Sequence, residues 1–226
     1  MADPNVSPSG DYHQQRRDYQ RGSLERSQLH LDPFQQFDEW LTGAMQEGIK
    51  DSTAMSLATV DASGQPHSRI VLLKSMDETG LVFYSHYNSD KGQELAHQPR
   101  AALLFYWPEL EQQVRIEGQV EQTDAATNQA YFKTRPRDSQ LAALVSEQSQ
   151  PLPGRKTLEQ NIQIADSEQG PHIDCPPHWG GYRLRPHRFE FWQGRENRLH
   201  DRFRYDCTGG QAGCFNQAWS LTRLSP

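Results

Sequence analysis

Several groups of polar side chains in this 226-residue chain have the types and spacing to do chemistry. Tyr131 and Arg135 are four residues apart and share one face of a helix, and Ser139 follows just past Pro136 at the start of the next helix. A helix N-terminus with unpaired N–H groups, a hydroxyl and a nearby guanidinium suits a phosphate. The same residues also suit two surface arginines and a capping serine. A second group is Arg69-Ile70-Val71-Leu72-Leu73-Lys74, an apolar run with a cation at each end. The run predicts a strand buried on both faces, with the cationic heads at the rim of a closed sheet, offered either to an anion or to solvent.

A third group is Arg198, His200 and Arg202, which alternate and are expected on one face of a strand. Two arginines and a histidine there repel one another unless an anion or acceptor lies between them; a solvated edge strand is the alternative. Gln148-Ser149 and Gln113 can pair with the donor–acceptor edge of a heterocycle, although glutamine is also common on surfaces. His172, Cys175 and His178 have a spacing that could hold a metal. No second Cys/His pair matches it, so no metal is expected.

These residues need elements to position them. Asp32-Pro33 caps a helix over 33–47 with Phe34, Phe37, Trp40, Leu41, Ala44 and Met45 at helical spacing on its apolar face. Strands follow at Ala54–Val60, Ser68–Lys74, Leu81–Ser85, Ala101–Trp107 and Gln112–Glu121, with a short helix capped by Ser89 among them. Closely spaced strands with one short helix favour a barrel or a tightly curled sheet. Helices are expected at 125–134, from a cap at Asp138 or Ser139 to about Glu147, and at 156–166. Strands near Tyr182–Leu184, Arg188–Trp192, Arg198–Tyr205 and Ala218–Leu224 close the chain. Residues 1–28 read as a mobile arm and 29–226 as a single domain of mainly β structure with flanking helices.

With 23 Lys and Arg against 29 Asp and Glu, the net charge of −6 argues against a nucleic-acid binder, and any phosphate must be held by local cations. Three cysteines fit a reducing compartment better than a disulfide scaffold. No apolar run approaches membrane-spanning length, so a soluble cytoplasmic protein without a membrane partner is expected.

Read together, the motifs resemble the pyridoxine (pyridoxamine) 5′-phosphate oxidase family from about Arg16 to Pro226. The matching stretches are Arg69–Lys74, Gln113-Val114, Tyr131-Phe132, Arg135–Gln140, Gln148-Ser149, Trp179–Gly181, Glu190–Gly194, Arg198–Arg202 and Arg223–Pro226. The resemblance implies an FMN-binding split β-barrel homodimer with FMN between the subunits. It assigns the flavin to Arg69, Ile70, Val71, Leu72, Leu73, Lys74, Tyr84, Ser85, Lys91, Gln113, Gln148, Ser149, Trp192 and Arg202. It assigns the substrate phosphate to Lys74, Tyr131, Arg135 and Ser139, and places Arg198 and His200 over the pyridine ring as the catalytic pair. Arg16 and Tyr19 close the site from the arm.

The implied activity is oxidation of pyridoxamine or pyridoxine 5′-phosphate to pyridoxal 5′-phosphate, with O2 reduced to H2O2. Related flavin oxidases of phenazine biosynthesis, and non-catalytic FMN- or pyridoxal-phosphate-binding proteins, are the rival readings. One departure stands out. The family usually has Ser-Arg-Lys-Gly where this chain has Ser89-Asp90-Lys91-Gly92, which exchanges a cation near the flavin phosphate for an anion.

Overall fold

The computed structural model describes residues 18–209 and 218–226. Helix α1 spans Pro33–Gln46; the Asp32 carboxylate accepts the Phe34 N–H (2.9 Å), and Pro33 supplies the preset first turn. Its apolar stripe packs Phe37 edge-on against Phe105 (4.8 Å) and Trp40 against Phe191 (5.2 Å). Most of that stripe is core, as its periodicity predicts, but Met45 at its C-terminal end is 49% exposed.

Among the described residues, nine strands form one sheet: β1 (Ala54–Val60), β2 (Pro66–Leu72), β3 (Ser75–Asp77), β4 (Gly80–His86), β5 (Arg100–Trp107), β6 (Gln112–Gln122), β7 (Trp179–Gln193), β8 (Asp201–Cys207) and β9 (Trp219–Leu224). The order is β2-β1-β5-β6-β7-β4-β3, with β8 and β9 added beside β7. The Lys74 N–H donates to the Val82 carbonyl (2.8 Å), which brings the chain after β2 onto β4 and curls the sheet into the expected split barrel.

Strand β7 is the spine. The sequence suggested two strands here, but the chain is extended without a break from Trp179 to Gln193. One edge of β7 pairs with β6; the other is shared between β4, at Trp179–Leu184, and β8, at Arg188–Gln193. The change of partner surrounds Pro186, which has no N–H to donate, so the apparent gap in the pattern is a change of partner and not an end.

The helices lie at one end: α2 (Asp90–His97), α3 (Ala125–Thr134), α4 (Arg137–Val145) and α5 (Arg155–Glu168). Phe132, Leu141, Ala143, Ala165, Ile173 and Trp179 form a second small core that fixes α3, α4 and α5 to the start of β7. Neither Asp138 nor Ser139 caps α4; Pro136 occupies the N-cap without a side-chain bond.

Three further expectations are corrected. Strand β2 is an edge strand, half-buried on one face at Arg69 and Val71 and exposed on the other, ending at Leu72, with Ile70 68% and Leu72 40% exposed. Arg198 and His200 precede β8, with Arg198 in a 3-10 turn, so they do not alternate with Arg202 on one strand. Cys207 is disulfide-bonded, whereas Cys175 is a free thiol. Of the proposed arm, residues 18–28 lie against the body: Leu24 is buried and its N–H donates to Asp201 (3.0 Å).

Candidate active site

A cleft of about 580 Å³ opens between the barrel and the helices. It takes Leu72 from the end of β2 and Lys74 just past it, Tyr84 and Ser85 from β4, Tyr131 from α3 and Arg135 from its C-cap, and Ser139 from α4. Gln148 and Trp179 complete its wall. The sequence-derived phosphate residues therefore converge.

Asn128 explains the aim of α3. It lies on the same helix face as Tyr131 and Arg135, at i, i+3 and i+7. Its buried amide accepts the Gly181 N–H (2.8 Å) and donates to the Tyr87 hydroxyl (2.9 Å). This close approach requires glycine at 180, where a Cβ would collide with the Tyr87 hydroxyl and the Asn128 amide.

Three cations in this region, the exposed Lys74 and the less exposed Lys91 and Arg135, lack a carboxylate partner among the described residues. Lys91 is 8% exposed, and its ammonium donates to Gln148 Oε1 (2.7 Å) and Ser89 Oγ (3.2 Å), both neutral. Burial and the nearby Arg69 charge lower its pKa. Arg135 has its pKa lowered by burial, and its Nη1 is buried without a hydrogen-bond partner. A buried cation without a counter-ion is costly, and an anionic ligand removes the cost. Arg135 lines the cleft, and Lys91 lies behind its wall, bonded to Gln148, which also accepts from Ser85 (3.1 Å). Arg69 differs, because its guanidinium pairs with the buried Glu94 (2.9 Å) and donates to Thr59. Ser149 Oγ accepts the Asp90 N–H (3.2 Å), while the Asp90 side chain is exposed.

The other predicted residues gather elsewhere. Gln113, Trp192 and Arg202 sit in one row across β6, β7 and β8. Tyr19 and His200 pack on the Trp192 indole, with ring centroids 5.5 and 4.7 Å away. His200 Nδ1 accepts the Arg195 N–H (3.1 Å), which puts the ring proton on Nε2 of the neutral form. Burial and Arg198 both lower its pKa and favour that form. Arg198 itself is exposed, at a positive φ of 61°, next to Asn197 at 55°. Arg202 donates from Nε (3.0 Å) and Nη2 (2.8 Å) to the buried Glu190.

Within one chain the two groups do not meet. Trp179 and Trp192 stand 13 residues apart on β7, roughly 40 Å of extended strand at ~3.3 Å per residue. Across the sheet, four strand spacings separate Leu72 from Trp192, about 19 Å at ~4.8 Å each. Among the described residues, no hydrogen bond or ion pair links Gln113, Trp192, Arg198, His200 or Arg202 to the cleft residues.

Residues 41–166 match the family model described as pyridoxamine 5′-phosphate oxidase, more than half of the chain. The chain belongs to the pyridoxamine 5′-phosphate oxidase family. Residues 179–226 match a second model, the pyridoxine 5′-phosphate oxidase C-terminal dimerisation region. A pyridoxine/pyridoxamine 5′-phosphate oxidase of Hydrogenovibrio crunogenus is 52% identical over 97% of this chain and the whole of that protein. One from a Cyanothece species is 49% identical over 93% of this chain and 96% of its own length. Among solved structures, PhzG of Burkholderia lata in complex with tetrahydrophenazine-1-carboxylic acid superposes with a TM-score of 0.81 at 31% identity, over 88% of this chain and 95% of that one. An FMN-binding protein of Nostoc punctiforme, at 18% identity and a TM-score of 0.68 over 88% of this chain and all of that one, shares the fold.

Against the family pattern, Arg16 lies outside the described residues. Leu73 is buried in the main core, so its side chain does not line the cleft. Asn128, His86 and Glu190 were not singled out as site residues by the sequence. Helical spacing from Tyr131 pointed to Asn128; the pairing of Glu190 with Arg202 across two strands has no local signal. His86 is buried, stacks on His178 (5.3 Å) and has its pKa lowered to about 4 by burial and then by His178, Lys91 and Arg135.

Proposed function

We propose that this protein is an FMN-dependent oxidase that converts pyridoxamine or pyridoxine 5′-phosphate to pyridoxal 5′-phosphate, with dioxygen as electron acceptor. The observation that carries this reading is a pair of cations without carboxylate partners in one region, the buried Lys91 and the half-buried Arg135 with its buried Nη1. A mononucleotide flavin and a phosphorylated pyridine each bring one phosphate to such a site. Lys91, Ser89 and Ser149, with Arg69 beside them, suit the flavin phosphate; Arg135, Tyr131, Ser139 and Lys74 suit that of the substrate. Bound there, the flavin supplies hydride acceptance from the substrate C4′ carbon and return of two electrons to dioxygen, giving hydrogen peroxide.

The chain's own residues position the reactants. Arg135 and its neighbours fix the phosphate end, which orients the ring for transfer. Trp192, Gln113 and Arg202 supply the opposite wall, and they come from a second copy, since one chain holds them too far away. The exposed Ile70 and Leu72 on β2 and Tyr106 on β5 form the outward face that such a copy covers. His200 presents Nε2–H toward the ring's polar substituents and holds them as a donor. To take a substrate proton at Nδ1 it must first release the Arg195 N–H. Arg198 stands beside it, and Tyr19 closes over Trp192. The reading calls for a homodimer in the cytoplasm and for neither nucleic acid nor membrane; among the described residues no helix is long and apolar enough to cross a membrane.

Oxidation of a bulkier unphosphorylated aromatic is the second reading, favoured by the PhzG likeness. Such a substrate leaves the buried Nη1 of Arg135 unpaired. One assay separates the readings. The purified protein should show a flavin spectrum and form pyridoxal phosphate and peroxide in equal amounts from pyridoxamine phosphate. No turnover of either phosphorylated vitamer by flavin-loaded protein would refute the proposal.

A further inference from the structure

We propose that the Trp179 indole is the positioning residue for Arg135, holding the guanidinium for the substrate phosphate in the place where a carboxylate usually holds an arginine. This rests on the reading of Arg135 as the phosphate ligand. Elsewhere in the chain Arg69, Arg137, Arg183, Arg188 and Arg202 each pair with an Asp or Glu. Arg135 has no such partner among the described residues. Its Cζ lies 4.5 Å from the Trp179 ring centroid and 5.7 Å from that of Phe132.

The indole is itself immobilised. Trp179 is 5% exposed, meets Phe132 edge-on (5.2 Å) and lies parallel to Tyr84 (5.3 Å), which in turn stacks on Tyr131 (3.9 Å). Its backbone N–H donates to the Pro176 carbonyl (3.0 Å), and its carbonyl accepts from the Cys175 thiol (3.5 Å). The difference from a carboxylate is chemical. A carboxylate orients a guanidinium but neutralises it and competes with an incoming phosphate. A π face orients the cation by its quadrupole and leaves the charge for the ligand. The buried, unpartnered Nη1 is what such an arrangement leaves. Trp179 thereby acts on affinity for the phosphate group, through Arg135, without touching the bond that reacts.

The test is a double-mutant cycle on flavin-loaded enzyme, with Trp179→Leu made in the presence of Arg135 and in Arg135→Ala. With Arg135 present, Trp179→Leu should raise KM for pyridoxamine phosphate, and Ki for inorganic phosphate as competitor, by about 2- to 30-fold, with kcat unchanged. In the Arg135→Ala background it should add less than about 2-fold, because the two side chains act as one unit. Trp179→Phe, which keeps a ring face, should recover most of the loss. Equal effects in both backgrounds overturn the proposal, as does a loss confined to kcat. If the leucine variant does not fold, tetrafluorotryptophan at position 179 replaces it, since it depletes the π face at nearly constant volume. Unchanged phosphate affinity in that protein overturns the proposal equally. Arg135→Ala alone tests the underlying reading: an unchanged KM removes the phosphate pocket, and the platform with it.

Discussion

Replacing Asp90 by arginine changes the charge beside the Lys91 cluster by two units. Asp90 opens helix α2, its side chain is exposed, and its field raises the Lys91 pKa against the larger lowering by burial and Arg69. It lines an open depression with Asp61, His67 and Glu94, so the local field around a flavin phosphate is weakened by acids. With the carboxylate ~8 Å from a dianionic phosphate, each charge pair is worth ~0.5 kcal/mol in water, so two phosphate charges and two units of change give ~2 kcal/mol. Screening at physiological salt, with a Debye length near ~8 Å, reduces this to about 0.8 kcal/mol. Asp90→Arg should therefore tighten FMN about 30-fold at very low salt and about 4-fold at ~0.15 M. Asp90→Asn should give half of the free-energy gain. Apoprotein titrated with FMN, followed by quenching of flavin fluorescence at three salt concentrations, measures this directly. An affinity that does not rise at low salt, or a gain that salt leaves unchanged, refutes the placement of position 90 near the phosphate.

Four other outcomes are expected. Glu190 is buried and accepts from Arg202 and Arg115, so Glu190→Ala should destabilise the protein by ~3 kcal/mol by stranding a guanidinium, read from urea unfolding; a shift below half that value would mean the pair is solvated. The folded-state pKa of His86, about 4 against an ordinary 6.5, means that only the unfolded chain takes up this proton in between. Stability should thus be full above pH ~6.5 and fall toward pH ~4, by at most about 3 kcal/mol from this group; His86→Leu should flatten that part of the profile, and parallel profiles for the two proteins would exclude it. A Cβ on Gly194 would lie 2.6 Å from the Tyr19 ring, so Gly194→Ala should unseat residues near 19 and speed their limited proteolysis, whereas unaltered cleavage would place the arm elsewhere. Dilution should release flavin and dissociate the dimer together, and a monomer that keeps its flavin would contradict the two-chain site.

Where a local signal exists, sequence and structure agree. Asp32-Pro33 starts α1, Ser89 caps α2 and Asp124 caps α3, each with the hydroxyl or carboxylate bonding an amide of the first turn. Strand β1 has its expected bounds because it alternates buried and half-buried residues. The failures are cases where the deciding interaction is remote. Apolar residues on β2 look buried in sequence whether their own sheet or another chain covers them. Arg198 and His200 alternate with Arg202 on paper, but consecutive left-handed residues at Asn197 and Arg198 turn the chain first, and no glycine marks that turn. Ser139 resembles a cap, yet its N–H donates to the Pro136 carbonyl (2.9 Å), and the side chain lines the cleft instead.

The length of β7 has a genetic consequence. If the site is shared between two chains as proposed, each copy of this strand in a symmetric pair gives its Trp179 end to one site and its Trp192 end to the other. If substitutions at Arg135 and at Arg198 each lower kcat/KM severely, homodimers of either kind turn over little substrate when it is scarce. Mixed in one dimer, they leave one site with both defects and one site with none. Random reassembly of equal amounts makes half of the dimers mixed, each with a single intact site, so on the order of a quarter of full activity should return. Two null alleles of this kind would complement each other in a cell, whereas two alleles damaged in the same half would not.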